Sequence, residues 1–176
     1  MDIVEFFELT CGKWFSQRTS HHLAVQKLES GKSDVVIEKL EPADASVKAL
    51  CEQCHVDPAT AMLGLKVTWT GAMEWDGKQG NASTVLVAIA DGDDPNQGKL
   101  LRQQGINNAD PMIGRYSLGA DEALTLITEQ DALYAEERWW FASPNLRLRS
   151  SVLKQGDGYS TSAFCSEIRM GLGKKD

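Results

Sequence analysis

The chain has 176 residues, 42 % hydrophobic and 24 % charged, a balance that suits one globular domain over residues 1–176 with a core of its own. Its net charge of −7 and the lack of any basic block exclude a duplex nucleic acid as partner. No run of about 18 apolar residues occurs, so no helical membrane span is expected.

The start, Met1-Asp2-Ile3-Val4-Glu5, is acidic and lacks the pattern of a signal or transit peptide, so a cytoplasmic protein is expected. Ile3 to Thr10 reads as a short helix whose greasy side carries Ile3, Phe6 and Phe7. A second helix is expected from Pro42, placed at its first position, to Cys54, with an apolar stripe of Val47, Leu50, Cys51 and Cys54. Nearly everything else reads as short strands: Lys13–His22, Ser33–Leu40, Leu65–Trp75, Ser83–Ala90, Lys99–Gly105, Ile113–Leu118, Ala123–Thr128, Ala132–Phe141, Leu146–Lys154 and Ser160–Met170. Breaks are expected at Ser30-Gly31-Lys32, at 76–81, over Asp91 to Gly98, and at Gln155-Gly156-Asp157-Gly158.

About ten strands in close succession imply an antiparallel up-and-down meander, which must close or stack to hide its edges. Amphipathic strands favour a barrel. Leu65, Val67, Trp69, Gly71, Met73 and Trp75 share one face, with Lys66, Thr68 and Thr70 opposite. Gly12-Lys13-Trp14 at the head of the first strand resembles the G-x-W signature of lipocalin and calycin barrels. There a tryptophan plugs the bottom under an arginine of the last strand, for which Arg169 is the candidate.

Cys51-Glu52-Gln53-Cys54-His55 matches the spacing of covalent haem attachment, but that attachment belongs to exported proteins, so the segment is read as an amphipathic helix, and a single C-x-x-C lacks the second ligand pair a zinc site needs. The histidines are His21, His22 and His55, and no G-x-S-x-G or H-E-x-x-H occurs. Hydrolytic, metal-dependent and nucleotide-dependent chemistry are therefore poor fits. Binding groups remain. Arg18 shares a face with Trp14, Arg147 with Arg149, Trp69 with Trp75, and Trp140 with Glu136 and Arg138, while His21 and His22 face opposite ways. Paired guanidiniums beside indoles suit a flat, conjugated, anionic ligand.

Phe7 to Thr19, Val67-Thr68-Trp69 with Gly71 and Trp75, Glu137 to Phe141 with Pro144 to Arg149, and Ala163 to Arg169 together resemble the S-type (S/U clan) phycobiliprotein chromophore lyases of the lipocalin-like superfamily. The resemblance implies an all-β, ten-stranded barrel that binds a linear tetrapyrrole, phycocyanobilin or a close relative, as substrate. It implies thioether transfer of that bilin to a cysteine of an apo-phycobiliprotein subunit (phycocyanin beta, allophycocyanin or phycoerythrocyanin beta), with no permanent cofactor or metal. A non-catalytic bilin carrier of the same fold is the alternative.

By the same resemblance, Arg18, Glu136, Arg147 and Arg149 are the catalytic candidates, and His21, Trp69, Trp75, Trp140 and Glu167 hold the bilin. The family often carries a cysteine after the histidine of the first strand. Here the pair is His21-His22, which favours non-covalent capture. A cyanobacterial cytosol or plastid stroma is implied as the compartment, and a homodimer or a paralogous lyase as a further partner.

Overall fold

The computed structural model describes residues 1–73, 79–103, 110–156 and 158–171, and within them ten antiparallel strands close into a barrel. In chain order these are helix α1 (Ile3–Thr10), strands β1 (Gly12–His22) and β2 (Lys27–Leu40), helix α2 (Ala45–Gln53), then β3 (Ala61–Met73), β4 (Gln79–Asp91) and β5 (Asp94–Arg102). After them come β6 (Met112–Leu118), β7 (Leu124–Gln130), β8 (Leu133–Ser143), β9 (Leu146–Gln155) and β10 (Tyr159–Arg169). Every strand pairs with its sequence neighbours and β10 returns to β1, the up-and-down order expected.

The differences from expectation are local. Ser30-Gly31-Lys32 is no break: Gly31 sits mid-strand, paired with Arg18 on one side and Met73 on the other. The chain turns earlier, through Leu23–Val25, where Gln26 takes φ 51°. Helix α2 starts at Ala45 rather than near Pro42, because Asp44 caps it by accepting the Ser46 N–H at 2.8 Å. The break expected over Asp91 to Gly98 shrinks to Gly92 and Asp93, and β5 begins at Asp94.

One end of the barrel is sealed. Helix α1, capped by reciprocal Asp2 and Glu5 bonds of 2.9 Å, lays Ile3, Phe6 and Phe7 across that end. Trp14 stands above them fully buried, donating from Nε1 to the Thr10 carbonyl at 2.9 Å. Arg169 covers Trp14 as the sequence suggests, its guanidinium 4.2 Å from the ring centroid. That guanidinium also donates to the carbonyls of Leu9 and Cys11 at 2.7 Å and of Pro144 at 3.2 Å. Gly12 makes the closure feasible: its φ is +132°, and a Cβ there would stand 2.7 Å from Arg169 Nη1.

Two apolar layers result. Leu63, Leu65, Val67, Leu86, Leu100 and Leu126 fill the inner face near Trp14. On the outside, Val47, Leu50 and Cys51 of α2 pack against Val85, Val87, Ile89 and Leu101. Strand β4 is thus buried on both faces from Val85 to Ile89, which explains its unbroken apolar run. Cys51 is fully buried in that outer layer, so the C-x-x-C-H segment supplies helix packing.

Gly12→Ala is expected to lower stability by about 1–3 kcal/mol, as a positive-φ position made to hold a side chain that also displaces the Arg169 cover. Urea unfolding followed by tryptophan fluorescence measures it.

Candidate functional site

Ladder register decides what faces inward. Trp14, Ser16, Arg18, Ser20 and His22 of β1 pair with Arg169, Glu167, Cys165, Ala163 and Thr161 of β10. Glu167 and Cys165 pair in turn with Arg147 and Arg149 of β9, and these with Phe141 and Trp139 of β8. Because Trp14 belongs to the interior cluster, all these side chains stand on the inner wall. Arg102 Nη2 donates to Glu137 Oε1 at 2.7 Å, from β5 to β8, a contact available only across the interior.

The centre of this wall is a buried ion network. Arg147 (1 % exposed) and Glu167 (0 %) meet at 2.6 Å, and Arg149 reaches Glu167 Oε1 at 2.9 Å. Burial pushes the Glu167 carboxyl up, but the Arg149 and Arg147 charges outweigh it and hold the group below the ordinary carboxylate value. Glu137 behaves the same way, its burial outweighed by Arg102 and Arg149. Burial draws the Arg147 guanidinium down to about 10, against the pull of Glu167. Indoles flank the cations: Arg147 lies 4.9 Å from the Trp14 centroid and 5.2 Å from that of Trp139, and Arg149 lies 5.3 Å from Trp139.

The network is incompletely satisfied. Arg147 Nη1, Arg149 Nε and Arg102 Nε are buried nitrogens without a hydrogen-bond partner. Buried donors of this kind call for an acceptor that the protein itself does not supply. Across the interior on β3, Trp69 points inward by its parity with Leu65 and Val67, yet it is 37 % exposed. Among the described residues, the interior is therefore reached by solvent at Trp69, on the side away from Trp14.

Of the expected site residues, Arg18, Trp69, Arg147, Arg149 and Glu167 share this inner face. Three others do not. Glu136 and Trp140 lie on the outer face of β8, where Glu136 accepts the Tyr134 hydroxyl at 2.6 Å and Trp140 packs 6.3 Å from Phe164. His21 lies on the outer face of β1 and is exposed. Trp75 lies outside the described residues. The inward acid and indole of β8 are Glu137 and Trp139, linked by a 3.2 Å bond from Trp139 Nε1, and the inward histidine is His22. Parity with Trp14 and Arg18 already selects His22 over His21. Arg102, the partner of Glu137, carried no signal in the sequence.

A family model described as CpeS-like protein matches residues 2–170. A relative from Thermosynechococcus vestitus named chromophore lyase CpcS/CpeS is 55 % identical over 98 % of this chain and 94 % of its own. Another, the phycocyanobilin lyase subunit CpcS of a Picosynechococcus strain, is 41 % identical over 96 % and 86 %. The solved S-type phycobiliprotein lyase CPES from Guillardia theta superposes with a TM-score of 0.87 at 34 % identity, covering 97 % of this chain and 94 % of that one. The chain belongs to the CpeS-like family of chromophore lyases.

In this lyase the two carboxylates on the wall make stability depend on pH. Glu167 titrates lower in the folded state than when unfolded, so its contribution is complete at neutral pH and is lost as pH falls below the ordinary carboxylate range, near 4.5. Glu167→Gln is expected to cost about 3–5 kcal/mol at neutral pH by stranding Arg147. The gap to wild type should narrow in acid. Urea unfolding at neutral and at acid pH checks both.

Proposed function

We propose that this lyase takes up an open-chain tetrapyrrole, phycocyanobilin or a close relative, without a covalent bond to itself. It then presents the pigment for thioether attachment to a cysteine of an apo-phycobiliprotein subunit. The observation that carries the reading is the inner wall of Arg147, Arg149, Glu167 and Trp139, with buried guanidinium donors left unfilled, in a barrel closed at one end.

Each part of the wall has a counterpart in a bilin. Its two propionates suit guanidinium forks, which bind carboxylates bidentately, and Arg147, Arg149 and Arg102 supply the donors. Its pyrrole nitrogens suit a fixed carboxylate, here Glu137 or Glu167, which favours the protonated tetrapyrrole and so a more electrophilic ethylidene on ring A. Trp139 on β8 and Trp69 on β3 offer ring faces from opposite sides of the interior, and Arg18 faces inward from β1 between them. Glu136 and Trp140, which face outward, take no direct part in holding the pigment.

The state of the thiols supports non-covalent capture. Cys165 is the cysteine on this wall, it is 6 % exposed, and burial raises its pKa against the pull of Arg149. A protonated, buried thiol is a poor nucleophile. The attacking sulfur then belongs to the client, and the lyase contributes mostly position, which is worth several kcal/mol without a catalytic triad.

Reconstitution of purified lyase, phycocyanobilin and apo-subunit tests the reading by the bilin's absorption shift and by the rate and product of attachment. Arg149→Ala is expected to weaken bilin binding by about 10- to 100-fold, as loss of a charge-assisted bond, and to slow attachment with it. Full binding and transfer by that variant would remove the arginine from its role. Attachment at the same rate with and without the protein would leave only a carrier.

A further inference from the structure

Beyond Arg18, toward the open end, three side chains meet that bilin binding leaves without a task. His22 closes β1 on the inner face, next to Thr161 of β10. Its Nε2 stands 2.9 Å from Glu29 Oε2, and its Nδ1 stands 3.2 Å from Thr161 Oγ1. Glu29 is held below the ordinary carboxylate value by hydrogen bonds from Lys27 and His22. A carboxylate only accepts, so in the neutral imidazole Nε2 carries the proton and Nδ1 is left to accept from the Thr161 hydroxyl. With 18 % of the His22 side chain and 17 % of Glu29 exposed, the group is sheltered yet reachable.

We infer that His22 is the general base for the client's cysteine, taking the thiol proton through the Thr161 hydroxyl while Glu29 acts as a positioning residue. This rests on the bilin-attachment reading above. The geometry leaves few other routes. Trp14, α1 and Arg169 seal the opposite end, which leaves a client thiol the end where His22 stands. His22 lies four residues along β1 from Arg18, about 13 Å, which keeps it near the arginine wall but clear of it.

A cysteine thiol is mostly protonated at neutral pH and needs a base to become a nucleophile. Glu137 and Glu167 are held as carboxylates by arginines and are poor acceptors of its proton. Imidazole suits that transfer near neutral pH. The charged groups around His22 among the described residues are Glu29 and Lys27, which pair at 2.9 Å, and, farther down its own strand, Arg18. The adjoining turn, Leu23–Val25, adds no charge.

The step balances. The thiol gives its proton to Thr161 Oγ1 as the hydroxyl proton moves to His22 Nδ1. The sulfur lone pair forms the C–S bond at the ethylidene carbon. The displaced double-bond pair takes up a proton at the ring-A carbon, and the imidazolium's surrender of one returns His22 to its neutral form. No oxidant or reductant is needed.

The test separates pigment binding from transfer. His22→Gln is expected to bind phycocyanobilin with the wild-type absorption shift but to attach it to the apo-subunit on the order of 100-fold more slowly. Its rate should climb with pH as the thiol ionises unaided, and added imidazole should restore part of it. Thr161→Ser should retain transfer where Thr161→Val loses it. Wild-type rate and pH profile in His22→Gln, with binding intact, would overturn the inference and leave the bilin reading standing. Loss of binding together with transfer would also overturn it, since His22 would then hold the pigment. A wild-type protein that binds no bilin sinks the attachment reading first.

Discussion

The buried pair of Arg147 and Glu167 is the constraint on which the remainder of the interior turns. Taking two ions out of water costs several kcal/mol each, and their mutual attraction repays that only with good geometry and further partners. Here the partners are present: Arg149 as a second cation on Glu167, and the Trp14 and Trp139 rings beside the Arg147 guanidinium. The pair also ties β9 to β10 at one rung and rests on the residue that seals the barrel. Removing either ion would leave the other buried without its partner beside Trp14.

That arrangement inverts the usual sidedness of a strand. In β9 the arginines face in, while Leu146 and Leu148 sit half-buried outside; in β10 Phe164 and Ile168 are exposed. The opposite wall is mostly aliphatic, with Leu65, Val67, Leu86, Leu100 and Leu126 inward, and Arg102 reaches from it to Glu137. One cavity therefore has a charged side and an aliphatic side. Such a cavity favours a ligand that is itself two-sided, with acidic groups along one edge and apolar substituents elsewhere.

The strand count, the order and the Trp14–Arg169 closure were legible because period-two patterning and turn residues are local signals. The phase of β8 was not. Its two faces offer nearly the same chemistry, Glu136 and Trp140 on one and Glu137 and Trp139 on the other, so composition cannot choose between them. If the tight turn at Pro144-Asn145 ran without irregularity from the Ser143–Leu146 pair, Trp140 would stand opposite Arg149. Instead the register shifts between Phe141 and Ser143, Ala142 is left over, and Trp139 takes that place. A single bulged residue exchanges every side chain of the strand between solvent and cavity. The His21–His22 choice was different in kind, since β1 runs regularly from Trp14 and plain alternation settles it.

The same wall divides labour by depth. At the sealed end, Trp14 is fully buried among apolar side chains, a low-dielectric setting that strengthens the charge interactions beside it. Midway, the arginines and the two glutamates hold fixed charges whose protonation is pinned by one another, well suited to orienting a ligand and ill suited to exchanging protons with it. Near the mouth, where the ladder of β1 ends, the His22 imidazole stands between a hydroxyl and a carboxylate. Holding and proton transfer demand opposite properties, rigidity of charge in the first and its mobility in the second. A barrel closed at one end separates them along its axis.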